Sequence, residues 1–133
     1  GPGYNMRFDF EGLDTAVADK FMADLEAKLP TLNGKIYNGY TVSEAAPFVY
    51  NDPVDHSSTQ NGLIVKFADG SRIVYRLSGT GSSGATLRVY LEKYEQNKLD
   101  EDPQKMLQPI LEIAMDIAEI TSRTGKQHAD VIT

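Results

Sequence analysis

Three runs of alternating apolar and polar residues follow one another between positions 62 and 95, and the way they are joined restricts the fold more than any other feature. In the first run Leu63, Val65 and Phe67 share a face, since alternate side chains of a strand point the same way. Asp69-Gly70 follows, a dipeptide suited to the positive φ of a tight reversal. The second run puts Ile73, Tyr75 and Leu77 on one face and Arg72, Val74 and Arg76 on the other. A third places Leu87, Val89 and Leu91 opposite Arg88, Tyr90 and Glu92. A two-residue connection allows antiparallel pairing only. The middle of the chain therefore reads as an antiparallel hairpin, with a third strand returning after a corner of glycine, serine and threonine.

That corner contains G-x-G-x-x-G at Gly79, Gly81 and Gly84. A dinucleotide site requires the last glycine to open a helix, whose N-terminus carries the pyrophosphate. Residues 85–95 have period 2, β-branched Thr86 and Val89, and two tyrosines, so a strand is expected there. No βαβ unit surrounds the glycines, and no Lys-Ser/Thr pair follows them as a P-loop would need.

Outside the meander, residues 6–12 alternate as a short strand or an extended entry segment, and residues 1–5 read as a cloning remnant or an extended N-terminal segment. Asp14 caps a helix whose apolar face holds Val17, Phe21, Met22, Leu25 and Leu29, and Pro30 stops it. Two β-like pieces follow at residues 40–45 and 48–50. Asp102 and Pro103 open a second helix closed by Gly125, with a kink or restart expected at Pro109. The expected class is α+β, a mostly antiparallel sheet of about four strands with two helices packed on one face, in a single domain over residues 6–133. A chain of 133 residues suits one such unit.

The net charge is −6. Yet residues 62–95 are net basic, with Lys66, Arg72, Arg76, Arg88 and Lys93 against Asp69, Glu92 and Glu95. An acidic body with a basic middle argues against general nucleic-acid binding and fits one small anion site. Cysteine is absent, so disulfides and thiolate metal sites are excluded. No apolar run approaches a membrane span, no membrane partner is expected, and without targeting signals the expected location is cytoplasmic.

An arginine stands at each shoulder of the glycine corner. Arg76 and Ser78 leave their strand toward the same side, and Arg88 lies near the start of the returning strand. Backbone N–H groups of residues 78–81, unhindered by bulky side chains, can form an anion nest. The hydroxyls of Ser78 and Thr80 add donors, and two guanidinium groups supply charge and bidentate geometry for a phosphate. The alternative is a hairpin corner of small residues whose arginines only pair with nearby carboxylates.

At these same residues the chain resembles a known family. "GSRIVYRLSGTGSSGATLRVYLEKYE" is similar to the C-terminal phosphate-binding segment of the phosphoglucomutase family, within the α-D-phosphohexomutase superfamily. "DPVD" at 52–55, "DPQ" at 102–104 and "VIT" at 131–133 extend the resemblance over nearly the whole chain. His56 departs from it, standing where glycine is expected. The resemblance implies a TATA-binding-protein-like fold and membership in an enzyme that interconverts glucose 1-phosphate and glucose 6-phosphate through glucose 1,6-bisphosphate. It implies that a phosphoserine and Mg²⁺ work in other domains, so this domain holds no catalytic residue and no metal and is inactive alone. Its implied task is to close over the hexose phosphate and grip the phosphate that is not reacting. Carried over, that grip falls on Arg76, Ser78, Gly79, Thr80 and Arg88, with Gly81 and Ser82 as further loop contacts. The implied partners are the substrate and the other three domains.

The remaining chemistry-bearing residues have ordinary readings. Asp52 and Asp55, like Asp100, Glu101 and Asp102, suit loop solvation and capping better than a metal. His56 and His128 read as surface residues, and Phe21, Phe67 and Tyr75 as core. A second functional class, a non-catalytic phosphoglucomutase-like interaction module, would have no need to keep Arg76, Ser78, Thr80 and Arg88.

Overall fold

The structure, a computed structural model, describes residues 2–51, 59–79 and 84–133. The meander forms as the alternation predicts: β4 (Thr59–Phe67), β5 (Arg72–Ser78) and β6 (Ala85–Tyr94) pair antiparallel in succession. At the Asp69-Gly70 turn, the Gly70 amide donates to the Phe67 carbonyl, and the Asp69 carboxylate accepts from both the amide and the hydroxyl of Ser71. Leu63, Val65, Ile73, Tyr75, Leu87, Val89 and Leu91 are all buried, so the predicted inward face is the observed one.

The sheet is larger than the four strands expected. Seven strands are described, in the order β2-β3-β4-β5-β6-β1-β7, and every pairing is antiparallel. The extra members are β2 (Ile36–Tyr37) and β7 (Val131–Ile132), two-residue strands with too little alternation to be read from sequence. The two pieces expected at 40–45 and 48–50 are one strand, β3 (Tyr40–Asn51), which Pro47 does not end. β1 (Gly3–Leu13) starts earlier than expected. Tyr4 is buried, its hydroxyl donating to the Lys98 carbonyl and accepting from the Glu101 amide, so residues 3–5 belong to the fold.

Among the described residues three α-helices replace the expected two. α1 (Thr15–Lys28) is capped by Asp14, whose carboxylate accepts from the Val17 amide at 3.2 Å. It buries Ala18, Phe21 and Leu25, while Val17, expected on that face, is 41% exposed. α2 (Pro103–Ala118) is capped by Asp102 and runs through Pro109. A proline inside a helix costs about 3 kcal/mol, and burial of Leu107, Ile110, Ile113, Ala114 and Ile117 offsets it. The interruption expected at Pro109 falls instead at Glu119, which is left-handed with φ 53° and separates α2 from α3 (Ile120–Thr124). Gly125 then closes the segment as predicted.

One buried polar contact ties sheet to helix. The Tyr75 hydroxyl, wholly buried on β5, donates to the Ala114 carbonyl of α2 at 2.7 Å, and burial pushes its pKa far above the usual phenol range. Tyr75→Phe is expected to lose about 1 kcal/mol, because the hydroxyl has left water and holds one hydrogen bond. Urea unfolding of the two chains measures the difference. An unchanged midpoint would mean that the contact contributes nothing.

Candidate anion site

Because helices cover one face of the sheet, the alternate side chains of β1, β5 and β6 collect on the other. Ladder register arranges them in rows. Ser78 of β5 faces Thr86 of β6, and in the next row Arg76 faces Arg88, which in turn faces Asp9 of β1. The row after that aligns Val74, Tyr90 and Arg7, and the following one Arg72, Glu92 and Asn5. Four of the chain's five arginines thus share this face.

The two arginines singled out in the sequence are direct cross-strand partners. Like charges placed opposite each other on a sheet are destabilising. Arg76 lies over the Tyr90 ring, its guanidinium carbon 5.6 Å from the centroid. Arg88 is partly exposed, but its Nε is buried and finds no hydrogen-bond partner among the described residues. Arg72, two rows away from them, is committed to Glu92 at 2.6 Å.

The corner is anchored at both ends. Gly79 follows β5 with φ 71°, and Gly84 precedes β6 with φ 88°, both in the left-handed region that favours glycine. A Cβ on Gly84 would stand 2.7 Å from the Leu13 carbonyl oxygen, so this glycine is pressed on β1 where the β1–β6 register shifts between Phe10 and Leu13. At Gly79 a Cβ would meet only the Gly84 carbonyl, at 3.7 Å. β6 begins at Ala85 as a strand, which rules out the helix that a dinucleotide fingerprint requires.

Arg76, Ser78, Gly79 and Arg88 are therefore brought together at one end of the open face. Thr80, Gly81 and Ser82 lie outside the described residues, as do Asp52, Asp55 and His56. His128 is exposed, and Phe21, Phe67 and Tyr75 are buried as expected. Asp102 serves as the α2 cap, and no group of His, Asp or Glu among the described residues is placed to hold a metal ion. No described helix is long and apolar enough to cross a membrane.

Sequence reasoning did not single out Arg7, Asp9 or Tyr90. Asp9 is buried, with its Oδ1 3.0 Å from the Nε of Arg7. A depression of about 510 Å³ opens beside Arg7, Arg76 and Tyr90. The available signal was the alternation of Arg7 and Asp9 with Phe8 and Phe10, which puts both charges on the uncovered face.

Architecture and site define a class: a helix-backed antiparallel sheet presenting an arginine-flanked glycine corner. The family described as "Phosphoglucomutase-1, C-terminal domain" matches residues 3–130. Phosphoglucomutase-1 of Oryctolagus cuniculus is 44% identical over the whole of this chain, which covers 25% of that protein. Phosphoglucomutase of Schizosaccharomyces pombe is 42% identical with the same coverage. Among solved structures, the open form of pp63/parafusin, a phosphoglucomutase from Paramecium, matches all of this chain and 23% of its own, at 37% identity and a TM-score of 0.78. The chain belongs to the phosphoglucomutase-1 C-terminal domain family, and it spans about a quarter of the length of the curated relatives it matches.

Proposed function

We propose that this domain holds the non-reacting phosphate of a hexose phosphate within a phosphoglucomutase that interconverts glucose 1-phosphate and glucose 6-phosphate. The observation that carries the reading is the row in which Arg76 and Arg88 face each other, with the Nε of Arg88 buried and unpartnered among the described residues. Two facing cations at a glycine corner are stable when an anion takes up their charge. A phosphate does so with bidentate, charge-assisted hydrogen bonds. Ser78, Gly79 and Thr80 complete the grip through hydroxyl and amide donors, with Gly81 and Ser82 as additional contacts.

Holding the distal phosphate contributes binding energy remote from the reacting centre, which positions the other phosphate for transfer. Closure of the domain over the cleft excludes the water that would otherwise hydrolyse a phosphoenzyme. On this reading the fold is TATA-binding-protein-like, the enzyme is cytoplasmic, and glucose 1,6-bisphosphate is its intermediate. The phosphoserine and Mg²⁺ belong to the other three domains. The described residues offer no ligand set for a metal ion.

An NMR titration of this chain with glucose 6-phosphate tests the reading. Saturable shifts confined to residues 76–88 are expected, with a dissociation constant of about 1 mM, because one anion contact must offset the loss of freedom on binding. Absence of shifts there would favour an interaction module instead.

A further inference from the structure

Arg7 and Asp9 lie outside the set assigned to phosphate, yet they adjoin it. Asp9 is the cross-strand neighbour of Arg88, and its side chain is 4% exposed. A carboxylate buried beside a guanidinium ordinarily closes into an ion pair, since an unpaired buried charge is costly. That closure has not occurred here: among the described residues Arg88 forms no ion pair with any carboxylate. The Asp9 carboxylate is instead turned to Arg7, two residues away on the same face, at 3.0 Å. This contact is a pairing of charges without an aligned hydrogen bond. Arg7 Nε, Asp9 Oδ1 and Arg88 Nε are the buried side-chain atoms lacking a hydrogen bond among the described residues.

We propose that Arg7 is a positioning residue which detains the Asp9 carboxylate and so keeps the guanidinium of Arg88 open to phosphate. The inference rests on the phosphate reading of Arg88. Asp9 has its own part: standing on the far side of Arg88 from Arg76, it offsets the repulsion of the two facing arginines. Were it to close on Arg88, it would compete with the phosphate for the same donors.

The test is a mutant cycle on this chain, read by NMR titration with inorganic phosphate and by the Nε–H resonance of Arg88. Arg7→Gln releases the carboxylate, so phosphate binding weakens by about tenfold. In the Asp9→Asn background the same replacement has less than about a twofold effect, because no carboxylate remains to be detained. Arg7→Lys, which keeps the charge, stays within about threefold of the parent chain. Without phosphate, the Arg88 Nε–H resonance moves in Arg7→Gln and returns in the double variant. Simple long-range attraction predicts the contrary, equal losses from Arg7→Gln in both backgrounds. Equal losses, no loss, or a stationary Arg88 resonance would each overturn the proposal. If Arg7→Gln does not fold, Arg7→Ala through the same cycle gives the same comparison. Failure of the parent chain to bind phosphate would instead overturn the phosphate reading. The Arg88 resonance in phosphate-free samples still decides whether Arg7 detains Asp9.

Discussion

Arg88→Ala is expected to weaken phosphate binding by about a hundredfold, enough to remove the shifts at residues 76–88 from an NMR titration. A guanidinium fork makes two parallel charge-assisted hydrogen bonds, and at Arg88 no protein carboxylate competes for them among the described residues. In a full-length phosphoglucomutase carrying this domain, the same change should lower kcat/KM by roughly 10²-fold or more, since remote binding energy is expressed at the reacting centre. Unfolding should move by less than about 1 kcal/mol, because removing one of two facing cations relieves the repulsion across the β5–β6 ladder. Arg88→Lys should recover only part of the affinity, as an ammonium keeps the charge and loses the fork. Unchanged phosphate affinity in Arg88→Ala would end the assignment of this residue. A large loss of stability would show that its role is structural.

The second large effect is expected at Gly84. Its φ of 88° costs an L-residue about 1–2 kcal/mol. In addition, the new Cβ meets the Leu13 carbonyl at 2.7 Å, a backbone atom that can yield only if the irregular end of β1 shifts. Gly84→Ala is therefore expected to lose about 3 kcal/mol, a large part of the total stability of an ordinary domain. Gly79→Ala is the internal control, with a comparable φ of 71° and no close backbone contact for its Cβ, and it should lose about 1 kcal/mol. Denaturant unfolding of the two variants side by side decides the matter. Equal losses would mean that the packing against β1 is unimportant and only the backbone conformation counts.

The meander was legible because two independent signals agreed, period-2 alternation and the turn dipeptide Asp69-Gly70, although the observed connection is four residues, Ala68–Ser71, of which only Gly70 takes a positive φ. The strand count was not. β2 and β7 are two residues long and exist only because neighbours supply their hydrogen bonds. Pro47 made β3 look like two pieces, yet it stands opposite Leu63 of β4 in a continuous pairing, and on the other side of β3 only Tyr40 and Thr41 pair with β2. Glu119 gave no warning of a left-handed break, because nothing in a glutamate favours that conformation. At the site, Arg76 and Arg88 could be chosen from chemistry and loop position alone. That they stand directly opposite each other required the register. Arg7 and Asp9 needed more, the pairing of β1 with a strand some eighty residues later in the chain.

Arg76 and Arg88 are rooted on paired strands in one row, not on the glycine corner between them. Their backbones are therefore held at the interstrand spacing of about 4.8 Å by the ladder itself. Insertions or exchanges among the small residues of the corner can change how large a ligand is admitted, or how quickly it enters, while the spacing of the two cationic anchors stays constant. Capacity for divergence and retention of charge geometry are thereby assigned to different parts of the same hairpin.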